Sequence, residues 1–272
     1  MDIYDVFADI ANRHGLRFYL GFGSVLGAVR HGGFIPWDDD FDVQMSRKDY
    51  ETFRRIASSE LPPHLKWVDC NNSPELLELF GKIVDSRKEV YDRVVERTGI
   101  QFPQGLYIDV FPIDGCPKGP IPRFVCGVRR NLLRLVMNYR LVKHPTGCKA
   151  RVLHLFGRGV SGLLPSIRTI RDVRDFVDRH VRRCSMESAD ACGTPSPVWQ
   201  ELINIEPVAV FGEPRMVPFH GRTVPIPQDF DTYLRRKYGD YMRLPPEDKR
   251  CLPYHAGQPD APWKFGPTTG GT

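Results

Sequence analysis

Residues 38 to 42, Asp-Asp-Asp-Phe-Asp, put four carboxylates into five positions directly after Pro36 and Trp37. No fold can hold that much like charge in one place without compensating it. In an extended chain successive side chains alternate between faces, so Asp38, Asp40 and Asp42 project one way while Asp39 and Phe41 project the other. A helix would align Asp38 with Asp42 and turn Asp40 away, and Pro36 with the alternating Phe41, Val43 and Met45 argues for the strand. The charge that best compensates three carboxylates is a hard divalent cation, Mg2+ or Mn2+, which prefers oxygen ligands and commonly shares its shell with substrate phosphates. The plainer alternative, for such a cluster standing alone, is a solvated acidic turn. The expectation is a metal-bearing strand.

The rest of the composition narrows the partners. At 272 residues and 41% hydrophobic content the chain is that of a globular protein with one large domain or two small ones. It opens Met-Asp-Ile-Tyr-Asp, acidic where a signal peptide is basic, and no later apolar run reaches the length of a membrane span. The expected location is therefore cytoplasmic. Its seven cysteines are odd in number, widely spaced and without a Cys-x-x-Cys pair, so neither a disulfide framework nor a cysteine zinc site is expected. Residues 118 to 183 hold sixteen Lys or Arg and three Asp, a surplus of +13, which leaves about −8 for the remainder of a chain whose total is +5. Such a segment must face something acidic: nucleic acid, anionic lipid headgroups or a phosphorylated polymer.

Hydrophobic spacing orders the elements. Ile3, Val6, Phe7 and Ile10 predict a first helix ended by Gly15, and the run Leu16 to Leu20 predicts a strand. Gly21-Phe22-Gly23-Ser24 reads as a turn that opens a short helix over Val25 to Val29, whose free N–H groups can hold a phosphate. After the acidic strand, Ser46 and Asp49 form a capping signal for a helix with Tyr50, Phe53 and Ile56 inward. Strands follow at Leu65 to Val68, Leu79 to Val84 and Leu106 to Phe111. Three helices are expected near 121–143, 149–163 and 167–187, their apolar stripes, Val125 and Val128 among them, favoured as core rather than as a membrane-facing surface. Short strands return over 205–226, with Phe219-His220-Gly221-Arg222 as a hairpin tip, and a last helix spans Asp229 to Tyr238.

A second acid stands out in Tyr107-Ile108-Asp109-Val110-Phe111, because an Asp between apolar strand residues is costly unless paired or metal-bound. With the Gly-Ser turn and the alternating aspartates, it suggests a divalent-metal centre for phosphoryl or nucleotidyl transfer. This order resembles the nucleotidyltransferase superfamily. Gly27-Ala28-Val29-Arg30-His31-x-Gly33-Phe34-Ile35-Pro36-Trp37-Asp38-Asp39-Asp40-Phe41-Asp42 is similar to its LicD branch, which includes the fukutin-related transferases. So are Gly81-Lys82-Ile83-Val84-Asp85, Ile108 to Asp114 and the segment Tyr233 to Pro246.

The resemblance implies an α+β fold, a nucleotidyltransferase-like mixed sheet flanked by helices with a basic helical insertion. The expected division is 1–119 as catalytic core, 120–190 as insertion, 191–256 completing the catalytic domain, and 257–272 as a disordered tail. It implies transfer of a phospho-alcohol, most typically phosphocholine, from a CDP-linked donor to a sugar hydroxyl of a glycan or glycolipid, with CMP released. By the same match Asp38, Asp40, Asp42 and Asp109 are the metal and catalytic acids, with Mg2+ or Mn2+ as cofactor, and Gly23 and Ser24 contact the donor phosphate. One departure is Phe22-Gly23-Ser24 where the family usually has Gly-Gly-Thr; the serine keeps the hydroxyl and Gly23 the close backbone approach.

Further substrate contacts are candidates from residue chemistry. Arg30 and His31 can reach a diphosphate or acceptor, His31 being equally at home as a turn residue. Lys82 can neutralise phosphate or be a solvated strand lysine. Trp37, with Trp67 and Tyr107 as lesser candidates, can offer a cation–π face to a choline ammonium, although each is an ordinary packing residue too. His255 is a weaker phosphate-contact candidate. With a phospho-alcohol chemistry nucleic acid is not the favoured partner, and the basic segment is expected to make peripheral contact with an anionic membrane at its inner face. Two other readings stand beside this one: addition of a nucleotide to a small-molecule or RNA acceptor, with pyrophosphate release, and an inert glycan- or membrane-binding protein. Asp40→Asn is expected to abolish turnover while leaving the circular dichroism spectrum and unfolding midpoint of the parent; near-parental turnover would overturn the site.

Overall fold

Ile3, Tyr4, Phe7, Ile10 and Ala11 recur at helical spacing and are all buried on one face of the first helix, α1 (Asp2–Arg13). Gly15, at a φ of +62°, then turns the chain into β1 (Phe18–Leu20), a conformation that glycine adopts without steric cost. The structure, a computed structural model, describes residues 1–38, 40–73, 76, 78–87, 105–122, 124–125, 128, 148–162, 169–194, 205–247 and 250. Its fold is α+β, a sheet with flanking helices. The chain divides into two units, one drawn from Met1–Val68, Gly81–Phe111 and Ala209–Thr272, the other from Asp69–Phe80 and Pro112–Val208.

In the first unit β1 leads into α2 (Phe22–His31), then β2 (Asp42–Ser46) and α3 (Arg47–Glu60). Three more strands, β3 (Leu65–Val68), β4 (Gly81–Asp85) and β5 (Leu106–Gly115), complete a sheet of order β1-β2-β5-β4-β3. The antiparallel register sets Phe18 opposite Met45, Trp67 opposite Ile83, and Lys82 opposite Asp109. Ser46 accepts the N–H of Asp49 and so caps α3, as its spacing predicts. Tyr50 and Phe53 of that helix are buried, but the third buried position is Ala57, and Ile56 is only half-buried. Gly81 is required for packing, because a Cβ there would collide with the Trp67 ring. Tyr50 and Phe53 meet the same ring with centroids 5.7 and 5.6 Å away, so Trp67 is core and not a ligand platform.

The remainder of this unit is the hairpin β8 (Arg215–Phe219) and β9 (Arg222–Ile226), then the C-terminal helix α6 (Phe230–Tyr238) capped by Asp229. His220 and Gly221 form the predicted tip with φ of 46° and 74°, the pair of positive values that a tight two-residue hairpin turn demands. The ring of His220 accepts the N–H of Phe34 at 3.1 Å, fastening the hairpin to the loop after α2.

The second unit contains the far end of β5, where Asp114 pairs Gly193 of β6 (Ala191–Gly193), and β6 in turn pairs β7 (Glu206–Pro207). Its helices are α4 (Cys148–Gly162) and α5 (Ile170–Val181), the latter opened by a reciprocal capping box between Thr169 and Asp172. Buried Arg174 donates to the carbonyl of Leu76 at 2.7 Å. The helix expected over 167–187 is thus shorter, because the chain leaves it after Val181 for a short 3-10 turn at Met186–Ser188. Of the helix expected at 121–143, residues 120–122, 124, 125 and 128 are described and helical, and the rest lie outside the described residues. The stripe favoured as core is exposed at Val125 and Val128. The expected tail and His255 also lie outside the described residues.

Two further boundaries differ from expectation. The second helix begins at Phe22, so Gly23 and Ser24 lie in its first turn and not before it. The acidic strand begins only at Asp42, and Asp38 and Asp40 belong to the preceding loop. The backbone N–H of Asp109 donates to the carbonyl of Phe41 at 2.9 Å, where this loop meets the strand.

At the end of β4 the buried carboxylate of Asp85 accepts from the Arg87 side chain at 2.6 and 3.0 Å and from its backbone N–H at 3.0 Å. The guanidinium holds this carboxyl down from an ordinary 3.8 to about 2. A depressed carboxylate contributes stability that is complete above its ordinary value and is lost as the pH falls through its folded value. The loss of stability in Arg87→Ala is therefore expected to be full at neutral pH and to shrink between about 3.8 and about 2. Urea unfolding of both proteins at a series of pH values measures that difference.

Candidate active site

The start of α2 and the start of β2 are tied to each other through the backbone. The N–H of Gly21 donates to the carbonyl of Asp42 at 2.8 Å, and the N–H of Asp42 donates to the Ser24 hydroxyl at 2.9 Å. Two bonds in opposite senses fix Asp42 against the first turn of the helix. A third link comes from α6: the Tyr233 hydroxyl accepts the N–H of Phe22 at 2.9 Å and donates to Gln44 of β2 at 2.8 Å. One phenol thereby joins one of the N–H groups that a helix start leaves without an intrahelical partner to a buried amide. Phe22 itself sits at a φ of 39°, uncommon for a bulky residue, at the point where strand becomes helix. Gly23 follows for a different reason, since a Cβ there would lie 2.5 Å from a carboxylate oxygen of Asp38.

Around this junction the acids converge electrostatically. Asp42 is buried, and burial first, then the charges of Asp40, Asp109 and Asp38, push its carboxyl well above the usual carboxylate range, with Lys82 opposing. The cross-strand register gives Asp109 its partner: Lys82 Nζ lies 2.6 Å from Asp109 Oδ1, and both residues are buried. The same ammonium sits 4.2 Å from the centre of the Tyr107 ring, so that face is already covered by a cation. Among the described residues no three His, Cys, Asp or Glu side chains converge closely enough to grip an ion as they stand. Asp39 lies outside the described residues. The donor set is nevertheless carboxylate oxygen throughout, with one buried lysine against four acids, and a hard divalent cation suits that imbalance.

Beside the junction lies a cavity of about 680 Å3 whose wall includes Gly23, Arg30, Trp37 and Asp38, with Tyr238 and Arg243 from the C-terminal segment. Arg30 donates to the carbonyl of Tyr241 at 2.8 Å. Burial pulls its guanidinium below its ordinary value, though arginine stays charged. His31 sets its ring edge-on to Trp37 at 5.9 Å, and burial, with Arg30 adding to it, lowers its imidazole. The Arg250 guanidinium stands 5.5 Å from the centre of the Trp37 ring. Gly23, Arg30, Trp37 and Asp38 therefore share one cavity, Ser24 and Asp42 form the junction beside it, and Lys82 and Asp109 form a buried pair whose charges act on Asp42. Sequence reasoning missed Gln44, Tyr233, Tyr238 and Arg243. A period-2 reading of β2 does place Gln44 on the face of Asp42, but nothing local links it to a tyrosine 189 positions later.

Comparison with known proteins gives the site a family context. Residues 15–113 match the LicD/FKTN/FKRP nucleotidyltransferase domain. The chain is 27% identical over 271 residues to the lipopolysaccharide cholinephosphotransferase LicD of Haemophilus influenzae, covering 94% of this chain and 92% of that protein. It is 29% identical over 102 residues to the ribitol 5-phosphate transferase FKRP of Homo sapiens, 36% of this chain and 17% of that protein. It is also 33% identical over 135 residues to the uncharacterized protein RP689 of Rickettsia prowazekii, 44% of this chain and 48% of that protein.

The Lys82–Asp109 pair generates a test of its own. Removing one partner of a buried pair leaves the other charge uncompensated, at a cost of about 3–5 kcal/mol, whereas removing both costs less. Lys82→Met is expected to lower unfolding stability by that order, and the double variant Lys82→Met/Asp109→Asn to recover part of it. Denaturant titration of the two variants checks the coupling.

Proposed function

We propose that this chain is a member of the LicD family and moves a phospho-alcohol group, phosphocholine first, from a CDP-linked donor to a sugar hydroxyl of a glycan or glycolipid. The observation that carries the reading is the gathering of Asp38, Asp40 and Asp109 in the field of buried Asp42, beside a cavity that also holds Arg30 and the bare backbone of Gly23. A diphosphate is the substrate group such a place suits, because it brings negative charge that only cations and backbone N–H groups can receive.

In the reaction the acceptor oxygen forms a bond to the phosphorus that bears the alcohol. The bond from that phosphorus to the bridging oxygen breaks, and CMP leaves with the electron pair. The hydroxyl proton passes to solvent or to a carboxylate of the cluster. Mg2+ or Mn2+, held by Asp38, Asp40, Asp42 and Asp109, would neutralise charge on the transferring phosphate and the leaving group. The chain's own residues do the remaining work. Gly23 admits the donor phosphate close to the first turn of α2, and the Ser24 hydroxyl, already an acceptor for Asp42 N–H, keeps its own proton to donate. Arg30 supplies fixed positive charge to the cavity, and the Trp37 ring, braced by His31, offers an aromatic wall for the alcohol. Lys82 acts through Asp109, pairing with its carboxylate and holding it in place.

Incubation of the purified chain with Mg2+ and a panel of CDP-alcohols, including CDP-choline and CDP-ribitol, is expected to release CMP, faster when a glycan acceptor is present. Pyrophosphate released from nucleoside triphosphates would instead establish nucleotide transfer. Absence of both products, together with no Mg2+ or Mn2+ binding by calorimetry, would leave a binding protein.

A further inference from the structure

Helix α4 exposes an apolar stripe. Val152, Leu155 and Phe156 recur at the i, i+3, i+4 spacing of one helix face and are 61%, 66% and 64% exposed, while Gly157 on the opposite side is buried. Arg151 and Arg158, both exposed, border this face, and no acidic residue occurs between Cys148 and Gly162. An ordinary surface helix turns its apolar stripe to the core, whereas this stripe is open. It recurs in the same unit at Ile121, Phe124, Val125 and Val128, all exposed. Both stretches lie inside the segment 118–183 with its surplus of +13.

We infer that the outward face of α4 docks on an anionic phospholipid surface, with Val152, Leu155 and Phe156 entering the headgroup boundary and Arg151 and Arg158 meeting lipid phosphates. Charge selects this occupant. A protein partner of ordinary composition covers the apolar stripe but leaves the excess cations unmatched, whereas an anionic bilayer offers apolar chains and negative headgroups side by side. No helix among the described residues is long and apolar enough to cross a membrane, so the contact is one that lies on the surface. The inference is independent of the transferase reading, because lipid binding is read without turnover.

The test is flotation of the full chain with vesicles of phosphatidylglycerol and phosphatidylcholine against vesicles of phosphatidylcholine alone. The chain is expected to float with the first and not the second, and to be released by salt. Arg151→Glu/Arg158→Glu is expected to lower the partition coefficient about tenfold or more. Leu155→Ser/Phe156→Ser should do the same at unchanged net charge. Both pairs are exposed, so the variants should keep the circular dichroism spectrum of the parent. No flotation, equal flotation with neutral vesicles, or a dimer in sedimentation equilibrium that Leu155→Ser/Phe156→Ser dissociates would overturn the inference, the last by showing that a second copy covers the face.

Discussion

The reciprocal pair of hydrogen bonds between the first turn of α2 and the first residue of β2 is the constraint on which the site depends. Gly21 and Asp42 are separated by a helix, a turn and an acidic loop, yet the N–H of each is satisfied by the other's neighbourhood. Asp42 spends both backbone groups on this link, and its buried carboxyl lies within the field of the other acids. Tyr233 extends the lock to a third element, so the C-terminal helix α6 is part of the same assembly. A buried phenol with two partners is worth more to geometry than to stability, since it specifies which amide and which N–H must meet.

Electrostatics then explains why the junction needs so many supports. One buried lysine faces four carboxylates, and the charge that remains is felt by Asp42, whose carboxyl is driven upward by burial and by its neighbours. An arrangement of this kind is destabilising by itself and persists only where surrounding structure over-determines it. The supports are visible: strand pairing at Asp109 and Lys82, the helix junction at Asp42, and Asp38 seated against a glycine. Arg30 is treated differently. Its hydrogen bonds go to the Tyr241 carbonyl and the His31 ring and not to a carboxylate, so neither partner offsets its positive charge with a negative one.

Most elements of the first unit were legible in the sequence because their periodicity is local. The apolar face of α1, the Ser46 cap and the tip at His220 and Gly221 each follow from residues a few positions apart. What escaped depends on register or on distance along the chain. The sequence marks Asp109 as an acid in need of a partner, but only the pairing of β4 with β5 names Lys82 as that partner. Trp67 offers the same aromatic chemistry as Trp37, but its ring packs over the bare Cα of Gly81 and is core. The alternation of Asp38, Asp40 and Asp42 predicts a strand, but a loop carries the first two and the strand begins only at Asp42. The stripe at Val125 and Val128 shows the limit of amphipathic reasoning: a helical period identifies a face and leaves open whether protein or something else covers it.

In the reaction proposed for this chain, the choice of alcohol would fall to the Trp37 ring. A quaternary ammonium gains from an aromatic face only where no other cation holds it, and here the Arg250 guanidinium stands 5.5 Å from the ring centre. Arg250 is held by the carbonyl of Pro245 at 2.8 Å, a single neutral acceptor, and its ion pair with Glu247 is long at 3.9 Å. A 3.9 Å pair with an exposed carboxylate is weak, so the hydrogen bond to Pro245 is the main hold on the guanidinium. A choline headgroup would therefore exchange one cation for another at Trp37, with Arg250 released toward the donor's phosphates. A neutral polyol would instead leave Arg250 in place and use it as a hydrogen-bond donor. The same residue would thus serve either alcohol by a different route, and on the proposed function selectivity between them would rest on how firmly Pro245 holds the Arg250 guanidinium over the ring.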